Sequence, residues 1–478
     1  MLNTLTYYWL PNLHKGLNEK RKVEIVNRTE ILAHCTRSEK KEVSNLLRLG
    51  LEAVKAANGH HAVKNAITRN GSVLTVADDH YNLDDYKNIY VMGMGKAAEP
   101  MVEAVYSILG DRIQKGMLLI RKGKKHKTLG PIRILESSHP VPTYTGYCNS
   151  QLLTQFAKEM PKKQSLYLVL LSGGGSSLYA DFHPDLTVEE GIHLNELLID
   201  TDASIGEINA VRKHTSQGKG GQLAQLLQGA TIIPVILSDV LYNPLNTASG
   251  PVSPDVTTFR DAKTMLEQYG LWDAVPESVR TRIQKGVSGE LPETPKPGDP
   301  CFEDVHPVVI ADAATSCHAV KEMIETLYGE DYPVTVHEVA EGVVNEDLAR
   351  TLLDVDYGFT LLGHEYNYGT TSKKPGEGGR QLHLLLLLLK VLKHKKCGEI
   401  FIEGIATDGK DGNSWAGALI TPSLISNSTC KEIETAEKEE NSGGFFKEKG
   451  FLIRMKSEYG LDDTGTNVNN ILIIHKAY

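Results

Sequence analysis

The chain has 478 residues, a net charge of −9, 41% apolar residues and 23% charged ones. This is too long for one hydrophobic core, so two domains are expected, and the composition is that of a soluble globular protein. The acidic balance argues against nucleic acid as a general partner. The six scattered cysteines contain no C-x-x-C pair, which argues against a disulfide framework or a zinc site and for free thiols in a reducing compartment.

Residues 1–43 stand apart as an extension. No acidic residue occurs before position 19, and Lys15, Lys20, Arg21, Lys22 and Arg28 follow an apolar start. This has part of the character of a mitochondrial transit peptide, so the expected location is cytoplasmic, or mitochondrial if the leader is cleaved. From residue 44, short apolar runs at Tyr90–Met92, Met117–Ile120, Ile132–Leu135, Leu166–Leu171 and Ile232–Leu237 predict strands. Helices are expected between them, over 97–109, 150–159, 187–201 and 219–228. Strands apolar on both faces and separated by helices make a doubly wound, mostly parallel Rossmann-like sheet, whose ligands sit at the carboxyl ends of the strands. The Pro- and Gly-rich stretch Gly286–Pro300 marks the domain boundary, giving a first domain of 44–290 and a second α/β domain of 301–478. In the second, strands are expected at Val308–Ile310, Pro333–His337, Phe359–Leu362, Ile400–Ile405 and Ile471–His475. Helices are expected at 314–328, 343–354 and 381–393. The run Leu384–Leu389 in the last of these is bracketed by His383 and Lys390 and reads as a buried helix, well short of the roughly 18 apolar residues of a membrane span. The charged stretch 430–450 reads as a solvated loop or hairpin.

Polar glycine-rich turns follow many of these strands. Gly93-Met94-Gly95-Lys96 lies between a strand and a helix, where the glycines admit a close ligand and Lys96 adds a point charge. The loose dinucleotide pattern G-x-G-x-x-A is also satisfied there, although Arg121 and Lys122 stand where a ribose-binding acid would be. Ser172-Gly173-Gly174-Gly175-Ser176 forms a candidate backbone nest for a carboxylate or phosphate. Glu207, Asn209, Arg212, Lys213 and Lys219 gather in one polar cluster suited to an anion. Asp239 ends a strand and is a candidate base or Mg²⁺ ligand. Asp408 and Asp411 share a glycine loop and are candidate metal ligands, and Arg380 opens a helix from a glycine loop, suited to charge developing on a phosphoryl group.

Taken in order, GMGKAA (93–98), SHPVPT (138–143), SGGGSS (172–177), EINAVRKHTSQGKGGQLA (207–224), SDV (238–240), ASGPVSPDVTTF (248–259), GEGGR (376–380), TDGKDG (407–412) and TGTNV (464–468) resemble the glycerate kinase family whose C-terminal half is the MOFRL domain. The resemblance runs from about residue 44 to the C-terminus. It implies two α/β domains with the active site in the cleft between them, ATP, Mg²⁺ and D-glycerate as ligands, and Lys96 with Arg380 as the leading catalytic pair. The sequence departs from the family pattern at Gly363-His364-Glu365-Tyr366-Asn367-Tyr368, where Gly-Gly-Glu-Thr-Thr-Val is usual. It departs again at Gln381-Leu382-His383, where Asn-Gln-Glu usually follows the arginine, and at Asn413-Ser414-Trp415. Two other readings stay open on the sequence: an NADP-dependent hydroxypyruvate reductase, and a non-catalytic relative that binds nucleotide or metabolite.

Overall fold

The computed structural model describes residues 23–122, 129–368, 376–395 and 398–477. Half of the leader and part of the basic stretch after Arg121 therefore lie outside the described residues. The chain divides into two compact units, one of residues 62–310 and the other of 23–61 with 311–477 among the described residues.

The first unit is built on six strands: β1 (Asn88–Met94), β2 (Lys115–Arg121), β3 (Ile132–Ser137), β4 (Ser165–Ser172), β5 (Thr231–Leu237) and β6 (Val308–Ala311). Their order is β6-β5-β4-β1-β2-β3, and each pair from β5 to β3 is parallel. This is the doubly wound strand order, with its reversal between β1 and β4. Strand β4 is buried along its whole length, as a central strand covered by helices on both faces must be. Tyr90, Tyr167 and Phe156 pack ring against ring beneath the sheet. A second core joins Leu194, Leu198, Val211, Phe259 and Ile283 on the helices beyond it.

Two boundaries differ from the sequence reading. The Gly286–Pro300 stretch is not a free linker: Asp255 N–H donates to Pro295 O at 2.9 Å and Thr294 Oγ1 to Asp255 at 2.9 Å. Strand β6, expected in the second domain, completes the first unit's sheet. At the other end, the amphipathic helix Lys40–Ala56 packs in the second unit, against the helix Ala313–Tyr328. There Glu42 accepts hydrogen bonds from Tyr328 (2.7 Å) and His475 Nδ1 (2.6 Å).

The second unit holds β7 (Val334–Val343), β8 (Gly358–Asn367), β9 (Ile400–Ala406), β10 (Gly417–Ile420), β11 (Leu452–Ile453) and β12 (Asn470–Lys476). Their order is β7-β8-β12-β9-β10-β11, parallel for β7 and β8 and antiparallel for the rest. The leucine-rich helix Arg380–His394 is buried from Gln381 to Leu389. Residues 430–450, expected as loop, contain the helices Cys430–Lys438 and Ser442–Glu448. The charges that suggested a loop occupy one face, while Ile433, Ala436, Phe445 and Phe446 are buried on the other. Among the described residues no helix is long and apolar enough to cross a membrane, and Cys35, Cys148, Cys301, Cys317 and Cys430 are free thiols.

Candidate active site

At the carboxyl ends of β1 and β4, on either side of the strand-order reversal, the two glycine turns of the first unit interlock. Lys96 N–H donates to Gly173 O at 2.9 Å, and Ala97 N–H donates to Ser172 Oγ at 3.0 Å. Gly95 (φ +133°) packs directly on Ser172, leaving no room for a Cβ. Gly174 (φ +78°) leaves a gap in which a Cβ would lie 3.0 Å from the His139 ring and 3.2 Å from Lys96 Cγ. The Lys96 stem therefore runs along the second turn, beside His139 of the SHPVPT segment. His139 is a neighbour that the sequence reading quoted but assigned no role.

Opposite this turn lies the ASGP segment. Ala248 and Ser249 both adopt left-handed backbone conformations (φ +58° and +62°), which non-glycine residues rarely accept and which cluster where a chain is held for function. Ser249 is held on both sides: it shares a hydrogen bond with Ser176 Oγ (2.7 Å) and donates to Asn209 Oδ1 (2.9 Å). Asn209 comes from α1 (Ile205–His214), which carries most of the polar cluster expected from the sequence. Asp239 stands half-exposed just beyond β5.

The structure divides that cluster by electrostatics. Lys213 is paired in the interior with Asp255 at 3.0 Å. Burial pushes the Asp255 carboxyl up, but Lys213 and the donors of Thr257 outweigh it and hold it below the usual range. Lys219 is ion-paired with Asp181 and donates to Tyr179 O. Neither lysine is a spare charge for an anion, because each buried ammonium already has the partner that makes its burial tolerable. Glu207 is likewise local in its work: it closes a capping box with Ser204 at the start of α1 and accepts from the Tyr269 hydroxyl at 3.1 Å. Arg212 differs. It is only 8% exposed, its Nε donates to Asn195 Oδ1 at 3.2 Å, and among the described residues no carboxylate pairs with it. Burial lowers its pKa to about 10.

In the second unit, Arg380 is the first residue of α2 (Arg380–His394) and pairs through Nη1 with Glu365 of β8 at 2.9 Å. Both side chains are more than a third exposed. Asp411, expected as a metal ligand, is instead 3% exposed and accepts the N–H of Gln381 (3.1 Å) and of Leu382 (2.7 Å). It thus satisfies two of the orphan donors of the turn that carries Arg380. Asp408 is half-exposed and accepts its own loop's Lys410 N–H at 3.1 Å. Among the described residues no cluster of three or more His, Cys, Asp or Glu forms a metal cage. The glycine loop before Arg380 is braced by Asn413 Oδ1, which accepts from Gly378 N–H (2.7 Å), by Asn441 Oδ1, which accepts from Glu377 N–H (2.9 Å), and by the Ser414 hydroxyl, which donates to Glu377 (3.0 Å).

Beyond Asn413 and Ser414, which brace that loop, the departures from the family pattern at His364, Leu382, His383 and Trp415 are packing residues. Leu382 is in the core. His383 stacks on Tyr368 with ring centroids 3.8 Å apart, and His364 lies against Tyr366 at 4.6 Å. Burial lowers the pKa of His364 to about 3 and of His383 to about 4, so both rings are neutral. Trp415 lies beneath Arg454 and Lys447.

Two family models match, a domain of unknown function designated DUF4147 over residues 45–284 and the MOFRL family over 359–470. A glycerate 2-kinase of Pyrococcus horikoshii is 32% identical, the match covering 89% of this chain and 96% of the relative. The chain belongs to the glycerate kinase family with a C-terminal MOFRL domain. A solved glycerate kinase structure from Thermotoga maritima superposes with a TM-score of 0.69 at 26% identity, covering 91% of this chain and 99% of that one. A putative hydroxypyruvate reductase of Agrobacterium vitis is 32% identical over a match covering 70% of this chain and 76% of that protein. The first family model begins within the helix Lys40–Ala56, so the family's sequence boundary crosses the packing boundary of this glycerate kinase family member.

Proposed function

We propose that the protein is an ATP-dependent kinase that phosphorylates the 2-hydroxyl of D-glycerate. The observation that carries this is Lys96 lying along the second glycine turn at the strand-order reversal, where doubly wound sheets bind phosphorylated ligands. The name of the Pyrococcus relative supports the 2-hydroxyl as acceptor. In this reading the glycerate hydroxyl attacks the γ-phosphorus of ATP. The new O–P bond forms as the bond from that phosphorus to the β–γ bridging oxygen breaks, and ADP leaves. Asp239 takes the hydroxyl proton. Lys96 and Arg380 neutralise charge on the transferring group, the larger part of phosphoryl-transfer catalysis being positioning and electrostatics.

A Mg²⁺ ion bound with the nucleotide would supply positive charge against its phosphates. Such an ion needs one or two carboxylates and keeps several waters. Asp408 fits that requirement; Asp411 does not, because both its oxygens already serve α2. The burial of Leu382 and the stacking of His383 support an active enzyme over a non-catalytic relative, since these departures lie in packing.

Incubation of the protein with ATP, Mg²⁺ and D-glycerate, with the product identified by phosphorus NMR, tests the reading. 2-Phosphoglycerate is the expected product. Formation of no phosphate ester, with nicotinamide oxidation on hydroxypyruvate instead, would replace the kinase by a reductase.

A further inference from the structure

Three cations stand close together at the end of α1 and the loop after it, and the interior treats them differently. Lys213 and Lys219 have buried carboxylates as partners; Arg212 has an amide oxygen. A buried guanidinium with no acid beside it is costly unless something else supplies acceptors. Beside it lies a small pocket that opens to solvent and has room for about one water-sized group, lined by Arg212, Asn195, Ser176, Ser216, Lys219 and Pro142. The Ser216 hydroxyl donates to Asp181 at 2.5 Å, and Lys219 is likewise committed to Asp181. Arg212 is therefore the group in this wall able to serve a ligand, since the Ser176 hydroxyl gives its proton to Ser249, which gives its own to Asn209. Ser176 in turn lies two residues beyond Gly174, against which the Lys96 stem rests.

We infer that this pocket is the recognition site for the carboxylate of the acceptor, with the Arg212 guanidinium as its counter-charge. The inference rests on the kinase reading for the identity of the acceptor. A planar fork of donors fits a carboxylate bidentately. With the acid group held at Arg212, a three-carbon hydroxy acid presents its hydroxyl on the Lys96 side. Arg212 is thus assigned to selectivity for hydroxy acids over uncharged polyols, separately from the handling of the nucleotide.

The test is steady-state kinetics of Arg212→Met and Asn195→Asp against the wild-type protein, with near-ultraviolet circular dichroism to check folding. Asn195→Asp keeps the arginine but places a carboxylate on it that competes with the substrate. Both variants are expected to raise KM for D-glycerate by roughly 30- to 100-fold, the usual loss for a buried charge-assisted contact, with KM for ATP changed by less than about threefold. If Arg212→Met does not fold, Asn195→Asp decides. An unchanged KM for D-glycerate overturns the inference. So does a rise confined to KM for ATP, which would assign the pocket to a nucleotide phosphate. Should the wild-type protein phosphorylate nothing, the kinase reading fails by itself. Calorimetric titration with D-glycerate then decides the pocket: binding by the wild type that Asn195→Asp abolishes upholds it, and no binding by the wild type overturns it.

Discussion

Replacing Asp411 by Asn probes how the turn bearing Arg380 is held. The Asp411 carboxylate accepts two backbone N–H groups of α2, at 3.1 and 2.7 Å. Hydrogen bonds to a charged acceptor contribute roughly 1.5–3 kcal/mol each, so the two together supply about 4 kcal/mol. Against this stands the cost of the buried charge. Burial, partly offset by the N–H groups of Leu382 and Gln381, pushes the carboxyl from 3.8 up to about 6, and a shift of that size corresponds to roughly 3 kcal/mol. That shift already includes the two N–H bonds, so at neutral pH the ionised carboxyl is about 3 kcal/mol less favourable in the fold than the protonated one.

The sign of the pH dependence follows from linkage. The folded-state pKa lies above the unfolded one, so the penalty is absent below pH 3.8, grows as pH rises and is complete above about 6. Between pH 5 and 7.5 the wild type should lose roughly 1.4 kcal/mol relative to Asp411→Asn, measured by urea unfolding at both pH values. Activity should run the other way. Protonation below about pH 6 weakens the acceptor that holds the first turn of α2, so wild-type kcat falls there while the variant, already about tenfold slower, shows no such limb. Wild-type stability that stays constant or rises with pH relative to the variant, or a variant that keeps the wild-type acid limb, would refute the argument.

Lys96→Ala and Arg380→Ala should each lower turnover on the order of 10²-fold or more with folding intact, and near-normal rates in both would remove them from the chemistry. Gly174→Ala, at φ +78° and with His139 and Lys96 at 3.0 and 3.2 Å from the new methyl, should cost about 1–3 kcal/mol of stability and disturb Lys96, read as a lower Tm together with a reduced kcat/KM. Glu403 is fully buried on β9, where burial outweighs the backbone N–H of Gly50 and pushes its carboxyl well above the usual range. Because the unfolded chain releases that proton first, wild-type stability should fall with pH above about 4.5 by up to roughly 1.4 kcal/mol per unit relative to Glu403→Met; parallel unfolding profiles would contradict this. Lys219→Met should strand the buried Asp181 and cost about 3–5 kcal/mol in urea unfolding.

The strands of the first sheet and the two glycine turns were legible in the sequence because both signals are local: an apolar run of the right length, and glycines where the chain turns back on a neighbour. The helices at 430–448 were misread for a related reason. Their charge density is a local property, whereas the apolar face that makes them helices counts only once something covers it. The same limit applied to domain boundaries: Gly286–Pro300 has linker composition, yet Thr294 and Pro295 bond to the Asp255 segment, and Lys40–Ala56 joins the half of the protein farther away in sequence.

Residue types alone determined that cations, carboxylates and glycines gather in these motifs, since a side chain's charge and reach belong to it wherever it stands. Which of those charges are already neutralised was decided by the tertiary structure alone. Lys213 finds Asp255 and Lys219 finds Asp181 across long stretches of chain, Asp411 turns inward to the backbone of α2, and Arg212 is left with an amide. The cost or gain of a charge in a protein interior depends on what lies within a few ångströms, and that distance is set by the fold.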